Sequence, residues 1–486
     1  MKSPMHLSCL WALSTAFLFG QNIAAAESAP NILFCISDDQ SYAHTGANGD
    51  PVVKTPAFDR VAREGIRFTH AFCDAPSCGP SRSAILTGQH IWRLEEAGNI
   101  HSTLPAKFTT YTEMLQDAGY YVGSTSKAWS PGRLAPGGRT INPAGVSFKN
   151  FAEFLTKKGK DQPFCFWLGS FDPHRPYKLG SGIASGKDPR AVIVPPYLPD
   201  HPVVRGDILD YYVEVERFDR KVADALALLE KSGQLDNTLV VVTSDHGMPF
   251  PRAKASLYDA GTRVPLAIRW PVGVKSPGRV FEGFVNLSDM APTFLEAAGL
   301  KPAAMMTAHS LKNVLDSTET NPRTSAFIAM ERHDGCRKGG KGYPCRAIRT
   351  ADFLYILNHE PDRWPAGDPD ASVCARAIPF GEVDGSPTKQ LLMDNVDKRG
   401  FRRFHVLAFA KRPNEELYDL KRDPGQLKNV AIQPEYSETR KRLRGELEQH
   451  LTETKDPRAL GLDAPWDYYP YYGARKNKDW KVDVRP

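Results

Sequence analysis

Cys78-Gly79-Pro80-Ser81-Arg82-Ser83-Ala84-Ile85-Leu86-Thr87-Gly88 is the stretch on which the reading of this chain turns. Pro80 suits the first turn of a helix, Ser81 to Thr87 make a short helical run, and Gly88 can stop it. Cys78 therefore falls beside a helix N-terminus. Free N–H groups and the helix dipole there favour an anion and lower a thiol's pKa. Arg82 follows one turn later, so its guanidinium can face the same anion. The plain alternative is a buried cysteine in a turn.

Upstream, Asn31 to Ser37 is a continuous apolar run, as a fully buried parallel strand would be. Asp38 and Asp39 follow at once. Two adjacent carboxylates at the end of a buried strand repel each other and call for a cation; a simple turn after the strand is the other reading. The donor type suits Ca²⁺ or Mg²⁺, and in an open α/β sheet sites lie outside the carboxyl ends of the strands. A helix from Thr55-Pro56 to Gly65 and a strand from Ile66 to Phe72 lead into the Cys78 loop. Downstream, Thr110-x-x-Glu113 is a capping box for a helix ending at Gly119, and Tyr120 to Thr125 reads as the next strand, with Lys127 at its end. Pro163 to Ser170 is another buried strand, delivering Phe171-Asp172-Pro173-His174-Arg175-Pro176. His174, between two prolines, is held rather than loose in solvent. Ile208 to Leu229 is a long amphipathic helix, and strand Thr238 to Thr243 presents Ser244-Asp245-His246-Gly247. Asn286 to Gly299 is a further helix. Alternation of this kind argues for a doubly wound α/β sheet.

From about residue 320 the alternation fades. Glu331-Arg332-His333 is a dense polar cluster, Arg346 to Thr350 and Phe353 to Asn358 alternate like exposed antiparallel strands, and a helix runs from about Glu435 to Leu451. The expected organisation is a leader at 1–26, a catalytic domain at 27–320, a C-terminal α+β subdomain at 321–456 and a surface tail at 457–486. In the leader, Lys2 and His6 precede the apolar run Leu7 to Gly20, and Ala24-Ala25-Ala26 offers a small-residue cleavage site. Export to the periplasm or outside follows. No stretch reaches about 18 consecutive apolar residues, so no membrane span is expected. With 62 Lys and Arg against 56 Asp and Glu, the net charge of +6 allows attraction to a polyanion without a block of nucleic-acid type. Of eight cysteines, Cys336 and Cys345 share a loop-rich segment and are the best candidates for a disulfide.

Cys78-x-Pro80-x-Arg82 followed by Leu86-Thr87-Gly88 resembles the signature of type I sulfatases. In that family the Cys is oxidised to formylglycine by a maturation enzyme that reads the Pro and Arg. The partner motifs recur in order: Asp38-Asp39 upstream, Asp245-His246 downstream, and Lys254-Ala255-Ser256-Leu257-Tyr258-Asp259-Ala260-Gly261-Thr262-Arg263-Val264-Pro265 after that. Phe171 to Arg175, Gly247 to Pro251 and Leu94 to Gly98 look closest to the heparan N-sulfatase branch. The resemblance implies an alkaline phosphatase-like fold with a smaller C-terminal subdomain, and a sulfated saccharide as substrate, O- or N-linked. It implies a divalent cation, Ca²⁺ or Mg²⁺, on Asp38, Asp39, Asp245, His246 and the modified Cys78. The formylglycine would be hydrated to a diol, favoured as an alkoxide by the cation and Arg82. Lys127 and Lys254 would neutralise the sulfate oxygens, and His174 would protonate the leaving atom. One departure stands out. Lys127-Ala128-Trp129 occupies the place of a Gly-Lys-x-His motif, so a histidine is missing, and His101 and His90 are possible substitutes. His101, Arg332 and His333 are the candidate sugar-reading residues. Two other readings remain open here: a phosphate or phosphonate ester hydrolase on the same fold, and a catalytically silent glycan-binding protein.

Overall fold

The computed structural model describes residues 29–319 and 322–485, together with Met1. The expected leader at 1–26 lies, but for Met1, outside the described residues. The larger sheet contains β1 (Asn31–Ser37), β2 (Ile66–Phe72), β3 (Tyr121–Thr125), β4 (Val146–Ser147), β5 (Phe164–Gly169), β6 (Thr238–Ser244), β7 (Leu266–Arg269) and β8 (Arg279–Asn286). Their spatial order is β4-β3-β5-β1-β6-β7-β2-β8. Only β7 runs antiparallel to its neighbours, β6 and β2.

β1 shows why the sheet is covered on both sides. All seven of its residues are buried. Successive side chains point to opposite faces, so Ile32, Phe34 and Ile36 enter one core with Trp167 and Phe294. Leu33 and Cys35 enter another with Phe58, Phe154 and Phe218. The long helix spans Pro202–Lys231, starting well before the Ile208 that periodicity suggests, because His201 caps it and Pro202 starts it. Its buried acids are anchors. Asp219 accepts the N–H groups of Ala57 and Phe58, which start the helix Pro56–Glu64. The capping box of Thr110 and Glu113 forms as read, with the helix at Tyr111–Asp117.

The smaller sheet holds β9 (Ser325–Met330), β10 (Cys345–Thr350), β11 (Phe353–Asn358) and β12 (Glu415–Asp419), all antiparallel in the order β12-β11-β10-β9. Its strands were expected to be exposed, but both faces are covered. Ile348, Tyr355 and Leu417 pack under the helix Ser437–Glu453 through Leu443, Leu447 and Leu451. Ile328, Met330, Ala347 and Ile356 pack on the larger domain through Phe72, Tyr258 and Phe284. Two different covers, one on each face, account for the alternation. The closing stretch buries Trp466 and Trp480. Cys336 and Cys345 are both free and buried rather than bridged. Register fixes Cys345 between Met330 and Asn358, while the Cys336 thiol turns to the Asp334 carbonyl, 3.7 Å away. Among the described residues, no helix is long and apolar enough to cross a membrane.

Glu331 joins the parts. Buried, it accepts from Arg346 (2.7 Å) and Arg458 (2.7 Å), and Arg346 also holds Asp456 at 2.6 Å. Burial alone would raise the Glu331 carboxyl, but the two guanidinium groups hold it below its ordinary range. Glu331→Gln should lower the urea midpoint by an amount worth about 3 kcal/mol, since it leaves buried cations under-compensated. A carboxyl depressed on folding stabilises above its unfolded pKa, and that contribution is lost as pH falls through the folded value. The penalty should therefore be full at neutral pH and shrink below about pH 4, measured by urea titrations across pH.

Candidate active site

The site forms where β1 and β6 end side by side. Their register sets Ser37 opposite Ser244, so Asp38-Asp39 and Asp245-His246 leave the sheet together. Asp39 adopts a left-handed φ of 74°, a conformation an aspartate tolerates but that costs of the order of 1 kcal/mol or more. Gly247 lets the chain pass close behind: a Cβ there would lie 1.8 Å from the Ala260 carbonyl oxygen. The third contributor is the helix Cys78–Thr87, ended by Gly88 at φ 62°. Cys78 is its first residue, and all ten residues are buried.

The Cys78 sulfur lies 3.2 Å from His246 Nε2, 3.6 Å from Asp38 Oδ1 and 4.0 Å from Asp39 Oδ1. Asp38, Asp39, Cys78 and His246 each offer a ligand atom, all within 4.8 Å of one another. Two buried carboxylates with a histidine nitrogen fit a divalent cation. Asp245, expected in the same set, lies beside this group, its Oδ1 3.9 Å from His246 Nε2. Its Oδ1 accepts the N–H groups of Asp39 (3.0 Å) and His246 (2.9 Å), and its Oδ2 accepts from Arg82 Nε at 2.9 Å.

Three cations close on these acids. Lys127 Nζ reaches both Asp38 oxygens, at 2.5 and 2.6 Å. Lys254 Nζ donates to Asp39 (2.8 Å) and to Asp384 (3.0 Å). Burial alone would discharge the two lysines, yet the facing carboxylates raise both, so they stay charged. Burial likewise pushes Asp245 up, but His246 and Arg82 outweigh it and hold the carboxyl below its usual range. Arg82 meets these acids without lining the cleft, its Nη2 lying 3.7 Å from Asp38 Oδ1. Its side chain is fully buried, and it donates to the carbonyls of Lys127 (2.7 Å) and Ala128 (2.9 Å) as well as to Asp245. It is a strut between two strand ends. The thiol of Cys78 departs from expectation. Burial, with Asp38 and Asp245 nearby, pushes it up despite the helix start, so it stays protonated at neutral pH.

A cleft of about 240 Å³ opens over Cys78 and is lined by Asp38, Lys127, Lys254 and His174, with His101 and His333 on its wall. His174 is held by its loop: Arg175 grips Asp207 through two bonds (2.7 and 2.8 Å), and Asp172 holds Lys221 at 2.7 Å. Its Nδ1 sits 2.5 Å from the Arg175 carbonyl, leaving Nε2, 3.9 Å from Asp39, for the cleft. Burial depresses His101 to about 4 and takes His333 well below its usual range, so both are neutral imidazoles. His333 Nδ1 meets Ser77 Oγ at 2.8 Å, one residue before Cys78. Trp129 is not in the cleft; its Nε1 donates to Ser83 Oγ (2.8 Å) beneath the helix. His90 is elsewhere too, 3.1 Å from His450 and 3.4 Å from Asp74. Arg332, expected to read sugar, is buried and donates to the carbonyls of Gly340, Tyr469 and Pro470, tying down the C-terminal stretch. The cleft also gathers residues the sequence reading missed: Phe171, Asp334, Arg376 and Asp384. The last three come from irregular loops, where no periodicity marks them.

A family model described as Sulfatase matches residues 30–132 and 144–300, which include the Cys78 helix and both strand ends. The chain belongs to the sulfatase family. A second model, N-sulphoglucosamine sulphohydrolase, C-terminal, matches residues 249–368. The chain is 28% identical to human N-sulphoglucosamine sulphohydrolase, over 88% of this chain and 91% of the relative. It is 27% identical to an ulvan-active sulfatase of Formosa agariphila, over 90% and 76% respectively. Two solved structures share the fold. One is in complex with its substrate D-glucosamine-2-N,6-O-disulfate (TM-score 0.63, 20% identity, 88% of this chain and 99% of that one). The other is a phosphonate monoester hydrolase from Silicibacter pomeroyi (TM-score 0.65, 18% identity, 88% and 96%). As a member of this family the protein is a hydrolase of sulfate esters or N-sulfates.

Trp129 gives the test of this sulfatase's departure from its family pattern. Trp129→Phe should cost about 1 kcal/mol of stability through the lost bond to Ser83, with turnover changed by less than about twofold. Thermal unfolding and steady-state rates on an aryl sulfate check both halves.

Proposed function

We propose that this sulfatase acts on a sulfated saccharide through formylglycine at position 78 and a divalent cation, Ca²⁺ by its oxygen-rich donors, held by Asp38, Asp39 and His246 with Asp245 beside them. The observation that carries this reading is the place of Cys78: its sulfur lines the cleft 3.6 Å from Asp38 Oδ1 and 3.2 Å from His246 Nε2, with Lys127 and Lys254 on the same cleft. Formylglycine there would supply an oxygen nucleophile, and the cation, when bound, would stabilise negative charge on oxygen.

The chain's own residues do the rest. Lys127 and Lys254 keep fixed ammonium groups at the cleft floor, where the sulfate oxygens gain charge as the bond to sulfur breaks. Removing one such donor costs about 100- to 1,000-fold in rate. His174 Nε2 faces the cleft and gives a proton to the leaving atom, worth about 100-fold or more. Arg82 keeps Asp245 and the Lys127 strand end in register. His101 and His333, both neutral, offer hydrogen bonds to sugar hydroxyls. Retention of Cys78, Lys127, Lys254 and His174 around one cleft favours turnover over a silent glycan-binding role. The formylglycine would come from a maturation enzyme reading Pro80 and Arg82, and the protein would work outside the cytoplasm.

The test is the mass of the peptide that contains position 78, from enzyme made in a host with the maturation enzyme. The account expects the aldehyde and its hydrate, and expects Cys78→Ala to lose all turnover with an unchanged unfolding temperature. Full activity with an intact thiol at position 78 would overturn it.

A further inference from the structure

Asp384 is out of place in a cleft built to receive an anion. It reaches in from the loop before the helix Pro387–Asp394 and lines the cleft with its side chain 19% exposed. Its Oδ2 accepts from Lys254, and no protein donor meets Oδ1 among the described residues. Lys254 already has Asp39 at 2.8 Å, so a second carboxylate is not needed to satisfy it. A free carboxylate oxygen beside a bound sulfate would repel it. The position makes sense only if Asp384 faces a different part of the substrate.

Geometry says which part. Asp39, His174 and Asp384 each bring a ligand atom within 4.8 Å of the others. His174 Nε2 is the group that faces the leaving atom in the reading above, so Asp384 lies on the leaving-group side. We propose that Asp384 is a specificity-determining residue that accepts the leaving nitrogen of an N-sulfated amino sugar, so that the cleft favours sulfamates over sulfate esters. This rests on the sulfatase reading.

The chemistry follows from charge. In a sulfamate the S–N bond breaks, its electron pair stays on nitrogen, and His174 Nε2 supplies a proton. Over the full turnover R–NH–SO₃⁻ and water give R–NH₃⁺ and sulfate. The nitrogen ends as a cation, and an ammonium beside a carboxylate makes a charge-assisted hydrogen bond. The oxygen of a sulfate ester ends as a neutral alcohol and gains much less from the same carboxylate. Lys254 and His174 hold the Asp384 carboxyl below its ordinary range despite its burial, so the acceptor is ionised at working pH.

The experiment compares kcat/KM of the matured enzyme and Asp384→Asn on N-sulfoglucosamine, glucose 6-sulfate and nitrophenyl sulfate. Wild type should prefer N-sulfoglucosamine to glucose 6-sulfate. The variant should lose some rate on all three, because Lys254 loses a partner. It should lose at least about tenfold more on N-sulfoglucosamine, the size of one charge-assisted hydrogen bond. Free glucosamine should inhibit wild-type hydrolysis of nitrophenyl sulfate, and glucose should not; that comparison needs no variant to fold. Equal losses on all three substrates, or equal inhibition by glucosamine and glucose, would overturn the role of Asp384 while leaving the sulfatase reading intact. A wild type that cleaves none of the three sulfates would overturn both.

Discussion

Three carboxylates, Asp38, Asp39 and Asp245, are fully buried at the ends of two neighbouring parallel strands. Each buried charge costs several kcal/mol unless opposite charge meets it. Arg82, Lys127 and Lys254 meet it, each from a different part of the chain. The arginine comes up the Cys78 helix, the first lysine from the end of β3, and the second from the loop beyond β6. Most of the architecture around the cleft serves this convergence. The β1–β6 register aligns the acids, and Gly247 lets the chain leave His246 close against the Ala260 carbonyl.

The same balance explains what the cleft can hold. Asp38, Asp39, Asp245 and Asp384 face Arg82, Lys127 and Lys254, four carboxylates against three cations, so a divalent cation would turn the net charge positive where a tetrahedral anion would bind. Lys127 and Lys254 then serve two ends: each is bonded to a carboxylate that would bind the cation and lies at the wall of the cleft. Asp384 belongs to the same economy of charge but comes from the C-terminal part of the chain. The smaller sheet and its loops thus do more than cover the larger one, for they close the cleft on the side where the leaving group would emerge.

Much of this was legible in the sequence, for physical reasons. A strand buried on both faces is a continuous apolar run, so β1, β5 and β6 and the residues at their ends could be read directly. Pro80 and Gly88 bracket a helix by backbone geometry alone, which located Cys78. What could not be read was side-chain direction. Arg332 looks like an anion reader in the sequence but ties down carbonyls, and Arg82 acts on the site through Asp38 and Asp245. A helix start lowers the pKa of the Cys78 thiol while burial raises it, and burial is a property of the packing that the sequence does not carry. Arg376 and Asp384 lay in a loop without period or motif. The strands of the smaller sheet look half-exposed because their alternation records two covers, not one cover and solvent.

The central claim is that the strand-end acids hold a divalent cation. Metal analysis of the purified, dialysed protein tests it most directly, set beside Asp39→Asn made in the same way. The account predicts about one equivalent of a divalent cation, Ca²⁺ by the oxygen-rich donor set, in the wild type and almost none in the variant. A fully active wild type with no divalent cation, or a variant that retains a full equivalent, would contradict it.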